Sequence, residues 1–215
     1  MPAWLQRDTI LCMQASRTAN IAQVGVIAAL YASLTLLTIT LLGGFAFGPV
    51  QLRLSEAVCV LALFTANAIP GLTIGCALAN LVGIALSGSG ALGLLDVLGG
   101  SLATLLGSWW CWRMRKHVGI ALLGPVFANA FIVAAYLPLI MAALGFYTIP
   151  FTSISLTQSY ALMYLFGIIS IAVGEAVVIY GLGLPLQAGL KRTHLFAADT
   201  WTSQRPQRPQ RPQRP

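Results

Sequence analysis

Residues 21–42 form an apolar run with no charged side chain. Coiled as a helix at about 1.5 Å per residue, such a run reaches about 30 Å, the thickness of a bilayer's hydrocarbon core. Further apolar runs follow at 54–69, 70–86, 92–112, 119–144 and 160–186. The only acidic residues within them are Glu56, Asp96 and Glu175. A chain organised this way has one economical solution in lipid, in which each run closes its own backbone hydrogen bonds as a helix. The expected fold is therefore an all-α integral membrane protein, a bundle of six transmembrane helices.

Composition agrees at the point where a soluble fold would have to be defended. The chain is 58% hydrophobic and 8% charged, with a mean hydropathy of +0.83. A soluble domain carries roughly a quarter charged residues, and five acidic side chains cannot solvate a globule of 215 residues. The net charge of +7 does not argue for nucleic acid. Four basic residues sit in the repeat 205–215 and most others flank apolar runs, so no folded basic face remains. Cys12, Cys59, Cys76 and Cys111 are scattered without metal-ligand spacing and read as idle thiols. Residues 1–18 mix charge and polarity, unlike a cleavable signal peptide.

Charge placement sets the expected topology. Arg7 and Arg17 precede the first run, Arg113, Arg115 and Lys116 follow the fourth, and Lys191 and Arg192 follow the sixth. With six crossings all of these lie on one side and Arg53 alone lies on the other. Merging the two short runs at 54–86 would split the basic clusters across the membrane. The positive-inside rule thus favours six crossings with both termini cytoplasmic. Pro70 is expected to open the third helix. The domain division is a cytoplasmic segment at 1–18, a transmembrane domain at 19–190 and a cytoplasmic tail at 191–215. The tail's Arg-Pro-Gln repeat cannot form a helix, because Pro recurs every third residue. It reads as disordered and as an appendage to the bundle.

Two classes of residue stand out inside the runs. Small residues recur every four positions, at Ala28 and Ala32, at Gly25 and Ala29, at Gly71, Gly75, Ala79 and Gly83, and at Gly99, Ala103 and Gly107. Such stripes let helices approach closely in lipid. The later stripes read as packing within the bundle, and the first-run stripe as either packing or partner docking. Polar and ionisable residues form the second class. A carboxylate as deep as Glu175 costs about 3 kcal/mol or more, which makes it a functional candidate by default. Asn129 lies at a similar depth in the fifth run and is a candidate partner. Arg53 and Glu56 share a helix face, Asp96 lies near the outer end of the fourth run, and Asn80 lies mid-way along the third. The bland alternative is an interfacial Arg53–Glu56 ion pair with Asn80 and Asn129 as interhelical glue. No G-x-x-x-x-G-K-[ST] loop and no H-E-x-x-H motif occurs in the sequence. His117 and His194 sit at cytoplasmic helix ends, no cofactor is expected, and enzymatic chemistry is the least supported class.

Four segments carry a resemblance. They are Phe47-Gly-Pro-Val-Gln-Leu-Arg-Leu-Ser-Glu56, Ala68-Ile-Pro-Gly-Leu-Thr-Ile-Gly-Cys-Ala-Leu-Ala-Asn80, Gly93-Leu-Leu-Asp-Val-Leu-Gly-Gly-Ser-Leu-Ala-Thr104 and Gly174-Glu-Ala-Val-Val-Ile-Tyr180. Together they resemble the queuosine-precursor transporter family of energy-coupling factor substrate-binding subunits, over nearly all of residues 21–187. The resemblance implies a six-helix plasma-membrane subunit that captures a scarce nutrient from outside. It also implies a separate transmembrane coupling subunit and a pair of cytoplasmic ATPases as partners. Docking of the coupling subunit would use the Ala28–Ala32 pair. The short Gly/Ser loop after the third run and the terminal repeat depart from the family.

The implied cargo is a 7-deazaguanine base. Its adjacent N–H and amino donors suit one carboxylate, Glu56 or Glu175. Its carbonyl needs a donor, for which Gln51, Arg53, Asn80 and Asn129 are candidates. A cationic aminomethyl arm would seek a second carboxylate, Asp96. Phe47, Tyr160 and Tyr164 are candidate walls for the ring, with 43–51 and 145–157 as lids. Two alternatives stay open, a self-sufficient secondary carrier with Glu175 as its proton-coupling group and a binding subunit for another vitamin or nucleobase.

Overall fold

The computed structural model of the chain describes residues 3–43, 51–87, 90–143 and 160–193. Among these residues every regular element is helical. Helix α1 spans Ala3–Leu42, so the expected first run is the second half of a longer rod. A 3-10 helix, Leu54–Leu63, comes next and is followed by α2, Ala68–Ser87. The next rod is composite. A 3-10 turn at Gly90–Leu92 leads into α3, Gly93–Leu95, a π-helical segment at Asp96–Gly100, and α4, Ser101–Arg113. Helix α5 covers Val118–Ala143. The last rod joins α6, Tyr160–Val178, through a π-helical segment at Ile179–Gly183 to α7, Leu184–Arg192.

Among the described residues five stretches are long and apolar enough to cross a membrane: Arg17–Leu42, Ala68–Leu86, Gly90–Arg113, Val118–Ile140 and Tyr160–Arg192. The run expected at 54–69 differs. It folds as a ten-residue 3-10 helix, and nine of those residues are buried. Runs of 3-10 helix this long are uncommon, because the hydrogen-bond geometry is poorer than in an α-helix. Here the surrounding helices enclose the segment, and α1 fixes its start. Leu54 N–H donates to Thr38 Oγ1 at 3.1 Å, and Thr35 Oγ1 lies 2.8 Å from Ser55 Oγ. The tighter coil rises about 2.0 Å per residue, so ten residues reach about 20 Å where an α-helix would reach about 15 Å. Helix α2 begins at Ala68, two residues earlier than expected, so Pro70 sits within its first turn instead of opening it.

The outer surface and the interior have exchanged their usual characters. Val26, Leu98, Phe127, Ile169 and Val173 are each at least half exposed. Gln51, Arg53, Glu56, Asn80, Asn129 and Glu175 are each 3% exposed or less. That inversion suits a bundle whose solvent is lipid and whose centre holds the polar groups.

Close helix approaches account for the small-residue stripes. A Cβ placed on Gly75 would lie 2.7 Å from Ala28 O, and one on Gly71 2.9 Å from the Ile27 side chain, so α1 and α2 touch along this line. On α4, a Cβ on Gly107 would lie 2.6 Å from Pro125 Cα of α5. Both prolines of α5, Pro125 and Pro138, are buried within the helix. Between α5 and the last rod the register is marked twice, where Gly167 of α6 meets Ala134 and where Tyr180 Oη of the π-helical segment donates to Gly119 O at 2.7 Å. The later stripes thus pack the bundle, as expected.

Candidate functional site

The polar residues of the interior come from different elements, and the packing brings most of them together. The 3-10 helix supplies Glu56 from its first turn, with Arg53 just before it. Arg53 is extended (φ −92°, ψ 108°) and is 3% exposed. Its guanidinium is within electrostatic reach of Asp96, Tyr31 and Tyr136. Glu175 of α6 is within electrostatic reach of both Glu56 and Arg53. Arg53, Glu56, Asp96 and Glu175 are thus all buried or part-buried members of one polar region in the bundle's interior, which is rich in acceptors.

Each carboxyl group is held differently. Tyr31 Oη of α1 donates to Glu56 Oε1, and Cys59 Sγ lies 3.2 Å from Glu56 Oε2. Asp96 opens the π-helical segment, and its Oδ1 accepts from Tyr136 Oη of α5 at 2.9 Å. Asn80 Nδ2 of α2 donates to the Asp96 carbonyl oxygen at 2.7 Å. A π-turn displaces the local carbonyl pattern, which fits a side-chain donor taking this acceptor. Glu175 Oε2 is buried and has no hydrogen-bond partner. The amide nitrogen of Asn129 is in the same condition.

Gln51 is 2% exposed, and its backbone lies against α6. A Cβ on Gly174 would collide with the Gln51 carbonyl oxygen, so only glycine permits this approach one residue before Glu175. Tyr164 stands apart. Its hydroxyl lies 3.4 Å from Phe131 O on α5, and its ring stacks on Tyr160 at 6.4 Å between centroids. Phe47, and the lid segments apart from their ends at Gly43 and Gln51, lie outside the described residues, as does the tail beyond Thr193.

Arg53 and Glu56 do not lie at an exposed interface, as the bland alternative had it. Both are buried, and Glu56 pairs with Tyr31 and Cys59. The two residues of the Ala28–Ala32 stripe are placed differently. Ala28 is 6% exposed, with its backbone against the position of a Gly75 Cβ, and Ala32 is half-buried. Helix α2 already occupies the Ala28 side of α1. Sequence reasoning missed Tyr31, Tyr136 and Cys59. Helical spacing was an available signal, since Tyr31 follows Ala28 by three positions and Tyr136 follows Asn129 by seven, which repeats a helix face.

No group of three or more His, Cys, Asp or Glu side chains that could hold a metal occurs among the described residues. The arrangement is suited to binding. It offers hydrogen-bonding side chains of both kinds in a water-poor setting, where each polar contact discriminates strongly.

Comparison with known proteins gives the arrangement a family. The model of the family described as QueT transporter matches residues 21–192. A protein named queuosine precursor transporter QueT, from Lactococcus lactis subsp. cremoris (strain MG1363), is 33% identical over 94 residues. That match covers 44% of this chain and 50% of the relative, so the chain spans about half the length of the curated relative it matches. No solved structure matches the chain. The helices long enough to cross a membrane and the family match over most of the sequence agree, and the chain belongs to the QueT transporter family, as a multi-pass protein of the bacterial plasma membrane.

Proposed function

We propose that this chain is the substrate-binding subunit of an energy-coupling factor importer and captures a queuosine precursor, a 7-deazaguanine base, from the outer side. A separate transmembrane coupling subunit and a pair of cytoplasmic ATPases drive its uptake. The observation that carries the reading is the interior cluster of Arg53, Glu56, Asp96 and Glu175 in a bundle of this transporter family. Buried charge in lipid is costly and is retained where a ligand or ion uses it. The name of the Lactococcus relative supports the cargo class. The sequence carries no phosphate-cradling loop, so the reading assigns ATP hydrolysis to partner chains.

In this reading the chain crosses the membrane six times with both termini cytoplasmic. The ten residues of 3-10 helix reach about 20 Å, and the stretch at 51–53 extends them towards the thickness of the hydrocarbon core. The flanking basic residues favour the same topology. The substrate contacts are drawn from Glu56, Glu175, Arg53, Gln51, Asn80, Asn129 and Asp96, with Tyr164 near the mouth.

Calorimetry on the purified chain in detergent tests the cargo, using 7-deazaguanines with and without an aminomethyl arm and a panel of vitamins. Tight binding of a 7-deazaguanine is expected, and binding of a vitamin alone would replace the cargo. Uptake into liposomes containing this chain and no ATPase would overturn the importer reading in favour of a secondary carrier.

A further inference from the structure

Resting on the function just proposed, we infer that Glu175 and Asn129 together read the lactam–amine edge of the bound base. Glu175 accepts from the ring N–H and the 2-amino group, and Asn129 donates to the 6-oxo group.

The assignment comes from which polar atoms the fold has already used. Glu56 has Tyr31 on one oxygen and Cys59 on the other, and Asp96 Oδ1 is held by Tyr136. Those two carboxyl groups are tied into the walls. Glu175 Oε2 and Asn129 Nδ2 are buried in side chains 2% exposed, and neither has a hydrogen-bond partner. A buried polar atom left unsatisfied costs roughly 1–3 kcal/mol, and more if charged, so the two are provisioned for something that arrives.

The register of the two helices brings these residues to nearly the same level. Gly167 faces Ala134, and Tyr180 reaches Gly119, so α5 and α6 run antiparallel with residue numbers that sum to about 300 at each level. Asn129 is then level with about residue 171, and Glu175 lies one turn further along, about 5 Å away along the axis. Both belong to inward faces. Asn129 adjoins the buried Ala130 and Val133, and Glu175 lies between the buried Ile171 and Val178. An acceptor and a donor so spaced match a base edge that presents adjacent N–H donors beside a carbonyl.

Other buried atoms compete less well: Ser101 Oγ belongs to α4, outside the α5–α6 pair, Arg53 is placed by the charges around it, and two amides do not fit. Asn80 Oδ1 is also unsatisfied, but it is an acceptor, and its amide nitrogen is committed to Asp96 O. Gln187 Nε2 is unsatisfied as well, but it lies three turns beyond Glu175, about 18 Å along the helix axis.

The test compares ligands on the purified wild-type chain. The parent is whichever 7-deazaguanine binds more tightly, and it is compared with an analogue lacking the 2-amino group and one whose 6-oxo group is replaced by a 6-thio group, which keeps the ring N–H and weakens only the acceptor. Loss of a hydrogen bond to a buried carboxyl group predicts about 10-fold weaker binding of the first analogue. Glu175→Gln should weaken the parent and shrink that gap to about threefold or less, because the amide keeps only one acceptor. Asn129→Ala should shrink the gap for the second analogue alone. Should either variant fail to fold, the wild-type series still decides. If the parent and both analogues bind the wild type within about threefold of one another, the inference is overturned and the proposed cargo stands. Persistence of the full gaps in the folded variants overturns it equally. Failure of every 7-deazaguanine to bind removes the proposed cargo and this inference together.

Discussion

Asn80 Nδ2 donates to the carbonyl oxygen of Asp96 at 2.7 Å, joining α2 to the π-helical segment that carries a carboxyl group into the interior. The bond fixes where the segment lies and, through it, the direction of Asp96. A Cβ on Gly100 would sit 2.8 Å from the same nitrogen, so the amide is packed as well as bonded. Asn80→Ala should therefore lower the stability of the purified chain by about 1 kcal/mol, the usual size of an interhelical hydrogen bond in a membrane protein. Denaturant titration in detergent measures this. An unchanged midpoint would show that the bond holds nothing.

Tyr31 and Glu56 form a second link, between α1 and the 3-10 helix, and both are fully enclosed. Tyr31→Phe removes the donor and leaves the ring in place. Glu56→Gln keeps the shape and alters the acceptor. Residues sharing one buried bond are expected to couple by about 0.5–3 kcal/mol in a double-mutant cycle. Stability of the two single variants and the double variant gives the coupling. Additivity within about 0.3 kcal/mol would mean that the two side chains act independently.

The sequence made the bundle legible because lipid leaves a chain few options, and apolar runs near 20 residues report directly on helices. Glu175 was legible for a similar reason, since a carboxyl group deep in such a run needs a purpose. Two things were not. The 3-10 winding of Leu54–Leu63 depends on enclosure by α1, α2 and α4, and no local pattern encodes it. The inward direction of Ala28 was equally hidden, because small residues at a spacing of four look alike whether they meet a helix of the same chain or of a partner. Tyr31 and Tyr136 escaped notice because tyrosines in apolar runs usually serve as walls, and only the fold turns their hydroxyls onto Glu56 and Asp96.

Arg53 is the one guanidinium within reach of Asp96 and Glu175 among the described residues. Removing one member of a buried charge set is strongly destabilising, by about 3–5 kcal/mol, because the remaining charges lose their compensation. Arg53→Leu should abolish recovery of monodisperse protein from detergent. Arg53→Leu combined with Asp96→Asn should restore part of it, since the double variant removes a charge of each sign. Size-exclusion profiles of the three proteins decide the matter. Equal loss in the single and double variants would mean that Arg53 holds the fold through its bulk alone.

The glycines of the helix contacts give a test that depends only on packing. A methyl group on Gly75 would lie 2.7 Å from the backbone oxygen of Ala28, and one on Gly107 2.6 Å from Pro125 Cα. Neither neighbour is a flexible side-chain end, so the helices must separate to admit the atom. Overpacking of this kind costs about 1–3 kcal/mol. Gly25 provides the control, because its added Cβ meets nothing within 4 Å. In lipid Gly25→Ala should be neutral or slightly stabilising, since alanine is the better helix former. Gly75→Ala and Gly107→Ala should each lower the thermal midpoint in detergent, while Gly25→Ala leaves it unchanged or raises it. If all three behaved alike, the close approaches of α1 with α2 and of α4 with α5 would be wrong. If only Gly25→Ala were disruptive, the outward face of α1 would be the one that packs.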